Sequence, residues 1–208
     1  MALLDRSLRD LLTAFSSPDP TPGGGSAAAL ASAVGAALLA MVTALPKTRA
    51  GTAEDRAALA SAAAALAGIR EQLTAAIDAD TAAYDQVVGA YKRPKGSPEE
   101  QAARTAAIQK ALRAATDVPL GVVRLSAAAL EQAKAVAAHG HRAAASDVGV
   151  AVALLRAGLR GARLNIEINV GSVADAAYVG AVTSETVRVS DEAQRVADEA
   201  DALLRSID

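Results

Sequence analysis

Residues Pro20 to Leu45 read PTPGGGSAAALASAVGAALLAMVTAL. The fold turns on whether this run is a phosphate loop, a membrane span or the entrance to a buried helix. A nucleotide loop of the pattern G-x-x-x-x-G-K-S/T needs a Lys directly after its last glycine and a strand before it. Here no Lys follows Gly23, Gly24 and Gly25, and the preceding segment is rich in proline. Ala27 to Leu45 carries no charge over 19 residues, close to the length of a span. Most of it is Ala, Gly, Ser and Thr, which gain little from lipid, and the interfacial Trp and Tyr belts are missing. The run therefore reads as a core helix whose small residues suit close helix contacts, including one across a subunit interface. Ser26 is a good N-cap for it, and Pro46 stops it.

The rest of the chain reads as helix in the same way. Of 208 residues, 56 are Ala, the strongest helix former, and 52% are hydrophobic while only 2% are aromatic. Leu3, Leu4, Leu8, Leu11, Leu12 and Phe15 recur at helical spacing. A long helix is predicted over 53–91, on the stripe Leu59, Leu66, Ile69, Leu73, Ile77, Tyr84 and Tyr91. Ser97, Pro98 and Glu100 then form a capping box with Pro at the first helical position. The helix they open runs to about Ala138, kinked or broken at Pro119. Ser146 or Asp147 caps the next. The segment RLNIEINV alternates like a strand, but nothing is available to pair with it. As helix, it places Asn165 and Asn169 one turn apart on one face. A last helix from about Val173 has a seam at Val182, Val189, Val196 and Leu203. The expected architecture is an all-α helical bundle of long helices, one domain over 1–208.

Composition excludes several functions. The net charge is −2, with no basic block interleaved with aromatics, so no nucleic-acid partner is expected. There is no Cys and there are two His, so disulfides, thiol catalysis and Cys-ligated zinc are out, and no metal site is expected. The N-terminal MALLDRSLRDLLTAF mixes charge with Leu, unlike a secretory signal, and a cytoplasmic location is the expectation.

One residue stands out against this background. On the stripe 66, 69, 73, 77, 80, 84, 87, 91, position 80 is Asp. A carboxylate on an apolar face is costly unless paired, hydrogen-bonded or protonated. Desolvation raises its pKa, the usual condition of a general acid near neutral pH. The plain alternative is a buried Asp tied to an Arg or a helix end. Gly23, Gly24, Gly25 and Ser26, ahead of a helix, are a tight turn and cap, or a set of free N–H groups able to hold an anion or polarise an oxygen. Asp147 suits a helix start, His141 a solvated turn, and Asn165 and Asn169 an amide-reading pair or an interhelix contact. Arg156, Arg160 and Arg163 form a basic stripe of the kind that is usually solvated.

Several blocks together resemble one family: PTPGGGSAAALASAVGAALLAMV, IDADTAAYDQVVGAYKRPKGSPEEQAAR, ATDVPL and SDVGVAVALLRAGLRGARLNIEIN. In this order, over nearly the whole chain, they are similar to the cyclodeaminase/cyclohydrolase family. That family includes the cyclodeaminase half of formimidoyltransferase-cyclodeaminase and stand-alone methenyltetrahydrofolate cyclohydrolases. The resemblance implies an all-helical, dimerising fold with a folate bound near the glycine loop. It also implies chemistry on the one-carbon bridge of tetrahydrofolate, and places the family's proton donor at Asp80. Substrate-binding positions implied or suggested are Gly23, Gly24, Gly25, Ser26, Arg49 and Tyr84, together with His141, Asp147, Asn165 and Asn169. Arg49 falls at a basic position of the family, and His141 falls where the family tends to have Asn. The expected activity is hydrolysis of 5,10-methenyltetrahydrofolate to 10-formyltetrahydrofolate without cofactor. Formimidoyltetrahydrofolate cyclodeaminase is the alternative. A non-catalytic folate- or partner-binding helical dimer is the alternative of another class.

Overall fold

A computed structural model describes residues 2–205. Six α-helices are found among them: α1 (Leu8–Phe15), α2 (Gly24–Thr43), α3 (Ala53–Tyr91), α4 (Pro98–His139), α5 (Ala145–Val170) and α6 (Ala176–Arg205). Leu3–Asp5 forms a 3-10 turn ahead of α1 rather than part of one longer first helix. The described residues contain no β-strand, only an isolated bridge between Thr48 and Gly140. The segment RLNIEINV is helical, as expected for a chain with no strand to pair it.

Helix α2 packs against α3, α4 and α5, and α4 packs against α3, α5 and α6. The contact of α2 with α5 is antiparallel and close. A Cβ on Gly158 would sit 2.0 Å from Ser32 Oγ and 2.6 Å from the Ala28 carbonyl oxygen, and one on Gly35 would sit 2.9 Å from the Ala151 oxygen. Only residues without a side chain let the two backbones meet at this spacing. Ser32 uses the same crossing to bond Ser126 on α4, Oγ to Oγ at 2.7 Å, so the polar atoms buried there have partners. Leu39, Leu66, Leu73, Ile77, Leu130 and Leu155 fill the core around this centre. Helix α2 is also long and apolar enough to cross a membrane by length and composition, and 56% of that window is buried in the bundle.

Five expectations about boundaries and stripes are corrected. The cap of α2 is Gly23, and Ser26 lies inside the helix and is fully buried. Helix α5 begins at Ala145 behind Ala144, so Asp147 sits in its first turn instead of capping it. On α3 the buried stripe continues past Ile77 through Ala83 and Ala90, while Tyr84 and Tyr91 are exposed. The small residues turn inward there because that end of α3 faces α4 closely, through a second, smaller core of Ala90, Ile108, Ala111, Leu112 and Val173. Helix α4 runs unbroken through Pro119. The seam of α6 is buried at Val182, Thr186, Ala193, Val196 and Ala200, but Leu203 is exposed.

At the far end of α2 the chain turns through Gly51, whose φ of +73° favours a residue without a Cβ. The buried Asp55 carboxylate organises this turn. It bonds His139 Nδ1 at 2.9 Å and accepts from Thr48 Oγ1 at 3.0 Å and from the Ala50 N–H at 2.7 Å. These donors, His139 first, hold its carboxyl well below the usual range against the opposing effect of burial.

The packing argument separates two glycines of opposite sign. Gly158→Ala is expected to destabilise the protein by about 1–3 kcal/mol through overpacking, despite the better helix propensity of Ala. Gly68→Ala, on an open stretch of α3 where a Cβ meets nothing, is expected to stabilise it by about 0.5–1 kcal/mol. Urea unfolding of both variants measures the contrast.

Candidate active site

Asp80 lies on α3 beside the first turn of α2. Its approach is possible because position 25 is glycine: a Cβ on Gly25 would stand 2.0 Å from Asp80 Oδ1. Ser26 holds the other oxygen. Its hydroxyl lies 3.0 Å from Asp80 Oδ2, 2.9 Å from the Ile77 carbonyl oxygen and 3.4 Å from Thr81 Oγ1. The backbone N–H of Ser26 faces the same carboxyl. Burial pushes the pKa of Asp80 above the ordinary 3.8, and the two bonds from Ser26 only partly oppose it.

A proton count agrees with that direction. Ser26 has one hydroxyl hydrogen, and the Ile77 carbonyl oxygen and Asp80 Oδ2 both lie nearer to it than Thr81 Oγ1 does. If it donates to the Ile77 carbonyl, an ionised Asp80 loses that donor. A protonated Asp80 can instead donate to Ser26 Oγ, so that the Ile77 carbonyl and Asp80 Oδ2 are both paired through the one hydroxyl. The carboxyl is half-buried, so it is both perturbed and reachable.

Asn165 of α5 closes another side. A Cβ on Gly24 would stand 3.7 Å from Asn165 Nδ2, and that amide donates to the Gly161 carbonyl one turn back at 2.8 Å. Gly23, Gly24, Gly25, Ser26, Asp80 and Asn165 therefore come together, with Tyr84 one turn along α3 and exposed. Thr81 belongs to the cluster as well, and the sequence offered no signal for it: a Thr next to Asp80 on a helix has no distinctive spacing.

Asn169 has another task. Pro119 has no N–H, so the Ala115 carbonyl in α4 loses its helical donor. Asn169 Nδ2 donates to that carbonyl at 2.8 Å. Pro119 is thus accommodated from outside the helix, by the neighbouring α5, which accounts for the unbroken course of α4. The sequence showed the proline and the asparagine but not that one serves the other.

Arg49, His141 and Asp147 stand elsewhere. Arg49 follows the C-terminus of α2, donates from Nη2 to the Ala137 carbonyl and from its backbone to the His139 carbonyl. Arg49 and His141 line a cleft of about 360 Å³ with Lys47, Arg56 and Arg142. The 20 residues of α2 lie between this cleft and Gly24, about 29 Å at helical rise. Asp147, in the first turn of α5, is separated from Asn165 by a similar length. Within one chain, these three residues do not join Asp80. The stripe Arg156, Arg160 and Arg163 borders a groove between α5 and α6, where Arg156 pairs with Asp198 and Asp201 and Arg163 with Glu167. Among the described residues, no group of three or more His, Cys, Asp or Glu could hold a metal ion.

Fold and site define a helical-bundle protein organised around one half-buried acid at a glycine-rich helix start. The sequence model described as formiminotransferase-cyclodeaminase matches residues 7–188, and the chain belongs to that family. It is 42% identical over 174 residues to a methenyltetrahydrofolate cyclohydrolase of Methylorubrum extorquens, covering 84% of each chain. It is 33% identical to the formimidoyltransferase-cyclodeaminase of Sus scrofa over 93% of its own length, which spans 36% of the pig protein. The fold is similar to that of formiminotetrahydrofolate cyclodeaminase from Thermotoga maritima, with a TM-score of 0.86 at 23% identity over 99% of this chain and 98% of that one.

Asn169→Ala should leave the Ala115 carbonyl without a donor and cost about 1–3 kcal/mol. In a Pro119→Ala background, where an N–H returns to that carbonyl, the same change should cost less than half as much. Equal costs in the two backgrounds, measured by chemical denaturation, would sever the link.

Proposed function

We propose that the chain is a folate one-carbon enzyme that hydrolyses 5,10-methenyltetrahydrofolate to 10-formyltetrahydrofolate, as a cytoplasmic homodimer. The observation that carries this reading is Asp80: a carboxyl raised in pKa, held by Ser26 and admitted by Gly25 at the mouth of α2. The relative from Methylorubrum extorquens, which is of matching length, supports the substrate.

The chemistry follows from the charge on the substrate. The methenyl bridge is an amidinium cation, and water attacks its carbon. The new C–O bond forms as the water gives up a proton, leaving a tetrahedral carbon bonded to both nitrogens. One C–N bond then breaks, its electron pair stays on the leaving nitrogen, and that nitrogen takes a proton. A protonated Asp80 supplies it and recovers one from the former water, so a single acid serves both steps. The N–H groups of Gly24 and Gly25, in the first turn of α2 where the helix offers them no acceptor, are donors suited to the oxygen that gains charge on the way. No metal or redox group enters this scheme.

The second reading, formimidoyltetrahydrofolate cyclodeaminase, is favoured by the names of the pig relative and the Thermotoga structure. It uses the same acid differently: a folate nitrogen attacks the formimino carbon and Asp80 protonates the departing ammonia. A non-catalytic binding dimer gives no reason for a carboxyl on the apolar stripe of α3.

Mixing the protein with methenyltetrahydrofolate should speed the loss of its near-ultraviolet absorbance, and no acceleration over buffer removes the hydrolase reading. Asp80→Asn should lower turnover about a hundredfold or more, in the range of general-acid losses. Its stability should move the other way. A raised carboxyl pKa means that the stability contributed by the neutral acid is full below 3.8 and is lost as pH rises through the folded value. The neutral Asn escapes that loss, so at neutral pH the variant should be at least as stable as the parent. The parent's acid-dependent step should slow as pH rises through the same pKa.

A further inference from the structure

The groove between α5 and α6 takes no part in the chemistry proposed for Asp80. Its volume of about 630 Å³ falls within the roughly 300–1,000 Å³ of small-molecule sites. The floor is apolar: Leu130 of α4, Leu159 of α5 and Ala193 of α6 line it and are buried. Ser190 of α6 also lines it. This side chain is 7% exposed, and its hydroxyl has no hydrogen-bond partner among the described residues. The buried Nε of Arg156, on the facing helix, has none either. Thr186, one turn before Ser190 on α6, carries another buried hydroxyl without a partner. Buried polar atoms are nearly always paired, so two unpaired donors at one concavity mark a place where a ligand supplies the acceptor.

The walls carry charges, and most of them cancel within the chain. On α5, Arg156, Arg160 and Arg163 share a face at steps of four and three. Arg156 pairs with Asp198 and Asp201, and Arg163 with Glu167. On the opposite wall Gln194 is engaged with Asp198. Two charges of opposite sign are left over. Arg160 on α5 and Asp191 on α6 both line the groove. Among the described residues neither side chain has an ion pair or hydrogen bond, with the other or with any third group. A simple anion drawn to Arg160 therefore meets the carboxylate of Asp191, and a simple cation drawn to Asp191 meets the guanidinium. A molecule that carries both charges a few bonds apart satisfies both walls.

We infer that the groove between α5 and α6 binds a zwitterionic α-amino acid with a large apolar side chain. Its carboxylate accepts from Arg160, whose planar guanidinium matches two carboxylate oxygens, and from the Ser190 hydroxyl. The Arg156 Nε–H is a further donor at the same groove. The ammonium group donates to the Asp191 carboxylate. The side chain lies on Leu130, Leu159 and Ala193, where leaving water is favourable. Selection acts on each part of the ligand. Without its ammonium the ligand sets a carboxylate against Asp191, and without its carboxylate it sets an ammonium against Arg160. A ligand without a side chain leaves the apolar floor in water. No residue of the Asp80 cluster lines the groove, so the inference does not depend on the folate reading.

Calorimetric titration of the full chain with L-phenylalanine and with L-leucine should show saturable binding at millimolar concentration or below. N-acetyl-L-phenylalanine lacks the ammonium, and L-phenylalanine methyl ester lacks the carboxylate. Each should bind about tenfold more weakly than L-phenylalanine, as expected for one lost bond between charged groups. Arg160→Gln should weaken L-phenylalanine about tenfold without weakening the methyl ester. Asp191→Asn should weaken it by a similar factor without weakening the N-acetyl compound. Both positions are exposed, so neither change disturbs the core. Ser190→Ala should also weaken the amino acid about tenfold. The unliganded variant should melt no lower than the parent, because the hydroxyl has no partner in the chain to lose. No saturable binding of either amino acid would overturn the site. So would derivatives that bind as tightly as L-phenylalanine, or binding that Arg160→Gln and Asp191→Asn leave unchanged.

Discussion

Backbone contact between α2 and α5, at Gly158 against Ala28 and Ser32, sets the spacing on which the bundle depends. Two ordinary helices keep about 8–10 Å between axes, and the side chains between them set that distance. Here Gly35, Gly158 and Gly161 remove those side chains and the helices close up. Ala can then take many of the core positions beside Leu, Ile and Val, which explains how a chain with so few aromatics buries its helices. The same closeness leaves no room for an unpaired polar atom, and Ser32 and Ser126 satisfy each other across it.

The chemistry of Asp80 is a local extension of that design. Gly25 repeats the device of a missing side chain, but what it admits is a carboxyl instead of a helix. Burial acts to keep the proton on Asp80, and Ser26 competes by bonding to it. The outcome is an acid pushed toward its neutral form yet still half-open to a ligand. Asp55 shows the opposite balance at the other end of α2, where donors outweigh burial and hold the charge. Two buried-side aspartates on one helix thus take opposite protonation preferences from their partners.

Much of this was legible in the residues. The helices, the capping box at Ser97 and Glu100, and the position of Asp80 on the α3 stripe all follow from spacing. The cap of α2 was misplaced because Ser26 is a common N-cap residue, and nothing in the local sequence said that its hydroxyl was committed to Ile77 and Asp80. Tyr84 and Tyr91 fitted an apolar stripe, but the closer approach of α4 there favours Ala83 and Ala90. Pro119 reads as a helix break in any single-chain argument, since its missing donor is replaced by an amide 50 residues later. Arg49, His141 and Asp147 joined the expected site through resemblance, and a linear match carries no distance.

Taken alone, the sequence determined the all-helical class, the buried character of α2 and the exceptional carboxyl on α3, because each rests on periodicity and on the cost of burying charge. Only the tertiary structure decided which groups meet that carboxyl, how Asn169 supports α4, and that the basic cleft lies a full helix length from Asp80 in the same chain. Those depend on which faces of distant helices pack together and how closely. Side-chain volumes at the crossings set that closeness, and its consequences appear only when both partners are in place.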